Sequence, residues 1–342
     1  MRAMVLDRIK NLAADTRPLK LVEMPIPAPA DGEALIRVST CGVCRTELDE
    51  IEGRTPPSQF PMTLGHQVVG YVERLGPKTS LHQIGDRVGV GWIFDSCGHC
   101  SYCQTGMQNL CAEFQATGRD APGGYAEYMT VPERSAYPIP EALSDAEAAP
   151  LLCAGAVRYR SLRLSMLEEG QALGLTGFGA SAHLVLKTVR HLYKNVRICV
   201  FSRSPSEQEF ANELGADWAG DFSDPPAEPL NRIIDTTPVW KPVVEALRNL
   251  APGGRLVINA IRKESTDKEY LLNLDYPTHL WLEKEIKSVA NVTQHDISEF
   301  IKVAASVPIK PDYQIYELEE ANRALLELKR GQIRGAKVLQ IL

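Results

Sequence analysis

From about Gly170 to Ala260 the chain alternates short apolar runs with amphipathic ones: "ALGL", a glycine-rich turn, "ASAHLVLKTVRHLY", "VRICVF", "SEQEFANELG", "RIIDTT" and "PVVEALRNLAPGGRLVINA". The apolar runs read as buried strands and the amphipathic ones as helices with one apolar face. Parallel strands can be joined only by crossovers, so this alternation predicts an α/β doubly wound sheet with helices on both faces. The first 150 residues have another texture: "EALIRVSTCGV", "QVVGYVERLG" and "DRVGVGWIF", punctuated by Gly and Pro, predict a compact β-rich domain. Near the C-terminus, helical stretches in "DISEFIKVAASV" and "LEEANRALLELKRG" and an end strand "AKVLQIL" are expected to return to that first domain. The expected division is 1–153, 154–290 and 291–342.

The turn after the first strand of the α/β region is "GLTGFGASA". Glycines at a strand-to-helix junction let the backbone approach a pyrophosphate, which then rests on the helix N-terminus. The fingerprint reads two ways: from Gly174 the second glycine is Thr176, and from Gly177 the third is Ala182, a tolerated variant. Gly174, Thr176, Gly177, Phe178 and Gly179 are therefore the candidate dinucleotide loop. At the end of the second strand, "ICVFSRSPSE", an NAD-binding chain carries an acid that accepts hydrogen bonds from the ribose. Ser202 stands there, followed by Arg203. A hydroxyl does not repel a 2′-phosphate and a guanidinium pairs with one, so NADP(H) is expected over NAD(H).

Four of the eight cysteines fall in "CGHCSYCQTGMQNLC". Cys97, Cys100, Cys103 and Cys111 follow a C-x2-C-x2-C-x7-C pattern that can close a tetrahedron around zinc. The first three resemble an iron–sulfur run, but the wide last gap and the missing Cys-Pro weaken that reading. A metal with four protein ligands has no room for substrate and braces a loop, so chemistry must lie elsewhere. His99, inside the lobe, reads as a solvated residue. Thirty-seven basic residues against 43 acidic ones give a net charge of −6 with no basic run, which argues against nucleic acid or an anionic membrane as partner. No apolar stretch approaches the ~18 residues of a membrane span and the N-terminus has no signal-peptide pattern, so a cytoplasmic protein with reduced thiols is expected.

Around these motifs stand, in order, "CGVCRTEL", "GHQVVGYVERLG", "GDRVGVGW", "GGYAEYMTVP", "PLLCAG" and "GQIRGAKVL". With them the chain resembles the zinc-dependent alcohol dehydrogenases of the medium-chain dehydrogenase/reductase family, nearest to the cinnamyl-alcohol type. The resemblance implies a GroES-like catalytic domain, a Rossmann cofactor domain, a small alcohol or aldehyde substrate and a homo-oligomer. It also implies two zinc ions per chain. Cys44, His66 and Cys153 match three ligands of a catalytic zinc whose fourth position is left to the substrate oxygen. Thr46 matches the hydroxyl that takes the alcohol proton, and Asp49 stands where many relatives carry a histidine that passes it on. Arg45 and Arg334 match contacts to the cofactor pyrophosphate, and Trp92 resembles a wall of the substrate pocket. The chain departs from the pattern at Gln67 (usually Glu), at Glu47 (usually an Asp that orients the histidine ligand) and at Val157 (commonly Thr). Cys41 and Cys199 read as small buried apolar groups. The rival readings are a zinc-free quinone or enone reductase, a polyol dehydrogenase, and a non-catalytic zinc- and dinucleotide-binding redox sensor. The three-ligand set argues against the first.

Overall fold

Strand Glu33–Val43 organises the first of two units. Val68–Leu75 pairs antiparallel along one edge of it, and Tyr128–Pro132 followed by Ala336–Gln340 along the other. Arg87–Val90 and Ala136–Pro138 extend the sheet on the first side, and Tyr313–Glu317 extends it, in parallel, on the second. Ile36, Val38, Val68, Val72, Val88, Val90, Met129 and Leu339 are all buried in one core. Side chains of this size contribute about 1.5–3 kcal/mol each when buried, so the C-terminal strand is held as firmly as its neighbours. Helix Ala321–Lys329 closes the same core with Ala324, Leu325 and Leu328.

The computed structural model describes every residue except 179–181, 223, 225, 307–310 and 332–334. Its contacts divide the chain into Met1–Ala156 with Val292–Leu342, and Val157–Asn291. Within the first unit the cysteine lobe is an excursion between strands Ile93–Asp95 and Gln115–Ala116, which pair antiparallel. It holds one turn of helix, Ser101–Gln104, and a 3-10 turn, Gln108–Leu110, with Tyr102, Met107 and Leu110 exposed. Apolar burial therefore contributes little to holding a loop of this length.

The second unit is a six-stranded parallel sheet in the order Trp218–Gly220, Arg197–Phe201, Ala172–Thr176, Leu230–Asp235, Leu250–Ile258, Glu285–Ser288. In chain order this is 3-2-1-4-5-6, so the direction of winding reverses between Ala172–Thr176 and Leu230–Asp235. Strand side chains alternate between faces. Leu173, Leu175, Ile198 and Val200 join one cluster with Val185 and Val189 of helix Ala182–Leu192, while Ala172, Cys199 and Phe201 join another with Val243 and Leu247 of helix Lys241–Arg248. Cys199 is thus a core residue, and burial pushes its thiol up to about 11. Cys41 is buried in the first unit, and burial pushes its thiol upward too. Among the described residues no helix is long and apolar enough to cross a membrane.

Candidate active site

Helix Arg45–Ile51 buries every residue from Thr46 to Ile51, three carboxylates among them. An unpaired buried carboxylate costs several kcal/mol, so each calls for an account. Glu47 accepts the backbone N–H of Cys44 on Oε2 at 2.8 Å, and its Oε1 lies 2.8 Å from Nδ1 of His66. Its extra methylene relative to Asp lets one carboxylate hold both the start of the helix and the imidazole. Asp49 accepts from Nε of Arg54. Glu50 is wholly buried, and neither of its oxygens has a hydrogen-bond partner among the described residues. Burial and the nearby charge of Glu47 push its carboxyl well above the usual range, which favours the neutral acid.

Cys44 caps this helix in extended backbone. His66 follows Gly65, whose φ of +97° and 2.4 Å approach of a would-be Cβ to the Tyr125 ring admit only glycine. Backbone bonds from Gly123, Gly124 and Tyr125 to the carbonyls of Thr63, Gly65 and Leu64 pin the segment leading to the histidine. Cys153 lies in a π-helical stretch, Leu151–Gly155, directly after helix Asp145–Pro150. Pro150 has no N–H to continue the regular ladder, and the turn widens there.

These three elements bring the ligand atoms of Cys44, His66 and Cys153 within 4.8 Å of one another, with Nε2 of His66 3.3 Å from Sγ of Cys153. Hydrogen bonding from Cys153 and His66 holds the Cys44 thiol well below its ordinary pKa in spite of burial. Burial opposes a charged His66, but Glu47 and Cys44 outweigh it and raise its pKa well above normal. The pocket therefore concentrates negative charge at one point and gathers positive charge there. Two thiolates and an imidazole fixed by a carboxylate form a donor set that suits zinc.

The other four cysteines also converge, with Sγ atoms of Cys97 and Cys103 3.9 Å apart. Backbone N–H groups of Cys100 and His99 draw the Cys97 thiol down to about 6. The Cys103 N–H favours a Cys100 thiolate, but burial and the three neighbouring thiols push it up to about 11. Four thiols so close cannot all ionise without a cation, and this set fits a metal as well. His99 is exposed, with Nδ1 2.9 Å from the Cys97 carbonyl, and it forms with Cys97 and Glu113 a looser, exposed group. Cys103→Ser is expected to lower the calorimetric unfolding midpoint by about 5 °C or more and to reduce bound metal by one ion, while kcat at low temperature changes little. An unshifted midpoint would contradict a bracing role.

Other predicted residues gather beside the three-ligand site. Thr46 Oγ1 is 3.5 Å from Cys44 Sγ. Trp92 is buried edge-on to His66, with ring centroids 4.8 Å apart, and carries Arg119 over its own ring. Gln67 is buried against Gly42. Arg45 is exposed at the start of the helix, and Arg334 lies outside the described residues. Sequence reading missed Glu50 and Arg119: in "RTELDEIEG" an acidic run looks solvated, and only the packing reveals that it is buried.

The residues of the candidate dinucleotide loop fall on two elements. Gly174 and Thr176 lie within strand Ala172–Thr176 and not in the turn. A Cβ on Gly174 would come within 2.7 Å of Leu230, so that glycine serves close packing. Thr176 donates its hydroxyl to Asp235, which also takes Thr237 Oγ1 and the ammonium of Lys263 and so ties the first strand end to the fourth. The turn begins at Gly177, whose φ is +77°. The Phe178 side chain is buried against Phe210, and Gly179 lies outside the described residues. Arg203 is exposed beside a buried Ser202. Ser202 is not free, because its hydroxyl donates to Oε2 of Glu207 at 2.5 Å.

The family model for the alcohol dehydrogenase GroES-like domain matches residues 30–141. The chain is 42% identical over 332 residues to a probable alcohol dehydrogenase, AdhA, of Mycobacterium tuberculosis (strain CDC 1551 / Oshkosh), covering 96% of this chain and 94% of that protein. A cinnamyl alcohol dehydrogenase of Sorghum bicolor (SbCAD4) has a similar structure, with TM-score 0.83 and 25% identity over 99% of this chain and 97% of that one. So has a thermostable alcohol dehydrogenase of Pyrobaculum aerophilum with cobalt and zinc bound, with TM-score 0.84 and 25% identity over 99% of both chains. Identity of this extent along nearly the whole length, on a GroES-like unit and a doubly wound parallel sheet, means that the chain belongs to the alcohol dehydrogenases of the medium-chain dehydrogenase/reductase family and is an oxidoreductase.

Proposed function

We propose that Cys44, His66 and Cys153 hold a catalytic zinc, that Cys97, Cys100, Cys103 and Cys111 hold a structural one, and that the enzyme reversibly oxidises small primary or secondary alcohols with a nicotinamide dinucleotide. The observation that carries this reading is the convergence of three ligands, with no fourth among the described residues, at a half-buried point where Glu47 joins two of them. A coordination position is thereby left for substrate. Zinc supplies Lewis acidity that lowers the pKa of the alcohol, and the dinucleotide supplies the hydride acceptor.

Glu47 fixes the ring and tautomer of His66 so that Nε2 faces the ligand set. Thr46 offers a hydroxyl at the start of the same helix to accept the substrate proton. Asp49, one helical turn further on and fixed by Arg54, would be the next acceptor, with water as the alternative. Gln67 in place of an acid leaves the surroundings of the metal one negative charge lighter, which supports a stronger Lewis acid. Trp92 would form an apolar wall beside His66; Arg45 and Arg334 are candidates for a cofactor pyrophosphate, and in the second unit the turn from Gly177 is the candidate dinucleotide loop. Ser202 beside Arg203 supports NADP(H), while Glu207, which accepts the Ser202 hydroxyl, brings a carboxylate to the same strand end.

Strand Glu285–Ser288 is an edge exposed at every residue, close in sequence to exposed Trp281 and Leu282, which supports assembly into a homo-oligomer. Two metal-ligand sets of reduced cysteines support a cytoplasmic location. Steady-state assays pairing NADH and NADPH with a panel of aldehydes are expected to find at least one substrate with kcat in the range of about 1–10³ s⁻¹. Dinucleotide binding without turnover of any aldehyde would speak for a sensor, and quinone reduction that survives metal removal would speak for a zinc-free reductase.

A further inference from the structure

Ser202 closes the second parallel strand, Arg197–Phe201, at the place where a dinucleotide-binding sheet usually carries an acid for the ribose hydroxyls. The strand itself supplies no acid. Helix Pro205–Glu213 folds back so that Glu207, in its first turn, accepts the Ser202 hydroxyl at 2.5 Å. The arrangement is built from both sides. Ser204 N–H donates to Ser202 Oγ at 3.1 Å, which turns the hydroxyl proton toward Glu207, and Gln208 Nε2 donates to the Ser202 carbonyl at 2.7 Å. Oε1 of Glu207 has no protein hydrogen bond among the described residues, and the side chain is only partly buried. Glu207 is the third residue of its helix, where a capping acid accepts the N–H of the N-cap residue, here Ser204; that N–H goes to Ser202 Oγ instead.

We propose that Glu207 is the residue that sets cofactor choice. Its carboxylate, carried by Ser202, takes the place of the missing strand-end acid, accepts from the adenosine ribose hydroxyls and repels a 2′-phosphate, so the enzyme takes NADH in preference to NADPH. Arg203, exposed and next to Ser202 in the chain, is then left as the phosphate partner once the Glu207 charge is removed. This rests on the reading that the second unit binds a nicotinamide dinucleotide.

The test is direct titration of the purified zinc enzyme with NADH and with NADPH, followed by nicotinamide fluorescence, in the wild type, Glu207→Gln and Glu207→Ala. Glu207→Gln keeps an acceptor for Ser202 and removes only the charge. The wild type is expected to bind NADH more tightly, and both variants to bind NADPH about 10- to 100-fold more tightly than the wild type does, with a smaller change for NADH. Melting curves verify that the variants are folded, and kcat/KM ratios with the two cofactors should move in step. A wild type that favours NADPH, or a Kd ratio that both variants leave within twofold, would overturn the proposal. If neither dinucleotide binds the wild type, the dinucleotide reading itself falls, and this result is distinct from an unchanged ratio.

Discussion

Cys44→Ser is expected to lower kcat by about 10³-fold or more while the fold and the four-cysteine metal stay in place. A serine hydroxyl is not ionised at neutral pH, whereas the Cys44 thiol is held well below its ordinary pKa by Cys153 and His66. The variant therefore loses one of two anionic ligands at a site with three protein donors in all, and the metal leaves or binds poorly. Its structural role survives, since Cys44 contributes to helix Arg45–Ile51 through its backbone N–H to Glu47. Metal analysis should fall from about two ions per chain to about one, with an unchanged circular dichroism spectrum. A Cys44→Ser enzyme with kcat within a few-fold of the wild type would remove the triad from catalysis.

Thr46→Val should lower kcat by about 10²–10⁴-fold, the range associated with general acid–base assistance, when hydride transfer is made rate-limiting. Valine has nearly the same shape. The nearest hydrogen-bonding partner of the Thr46 hydroxyl is the Cys44 sulfur at 3.5 Å, a weak contact, so little stability is lost with it. Metal content and dinucleotide affinity should be unaffected, which separates loss of a proton acceptor from loss of the site. Asp49→Asn should cost less, because Asp49 stands one turn away and is committed to Arg54. An unchanged single-turnover rate in Thr46→Val would take that hydroxyl out of the proton path.

Features whose physics is local could be read from the sequence. The run "EALIRVSTCGV" is itself strand Glu33–Val43, and the strand–helix alternation after residue 170 gives a parallel sheet, whose order, 3-2-1-4-5-6, only the fold reveals. The four-cysteine set was legible from its spacing. Cys44, His66 and Cys153 are too far apart in the chain for spacing to link them, and only the family motifs put them together.

What escaped reading depends on packing. Gly174 and Gly177 look alike in "GLTGFG", yet one lies in a strand against Leu230 and the other turns the chain with positive φ. Glu50 belongs to an acidic run whose burial is decided by its surroundings. The hydrogen bond from Ser202 to Glu207 joins two residues across a bend that strand patterns do not register.

The central claim is that the site of Cys44, His66 and Cys153 works through a bound metal. The most direct measurement is the initial rate of dinucleotide-dependent aldehyde reduction by wild-type enzyme stripped with a chelator and then titrated with zinc. The rate is expected to fall by about 10³-fold or more on stripping and to return as the three-ligand site refills, with full recovery at about two zinc ions per chain. A folded, metal-free enzyme that reduces the same aldehyde at the original rate would contradict the account.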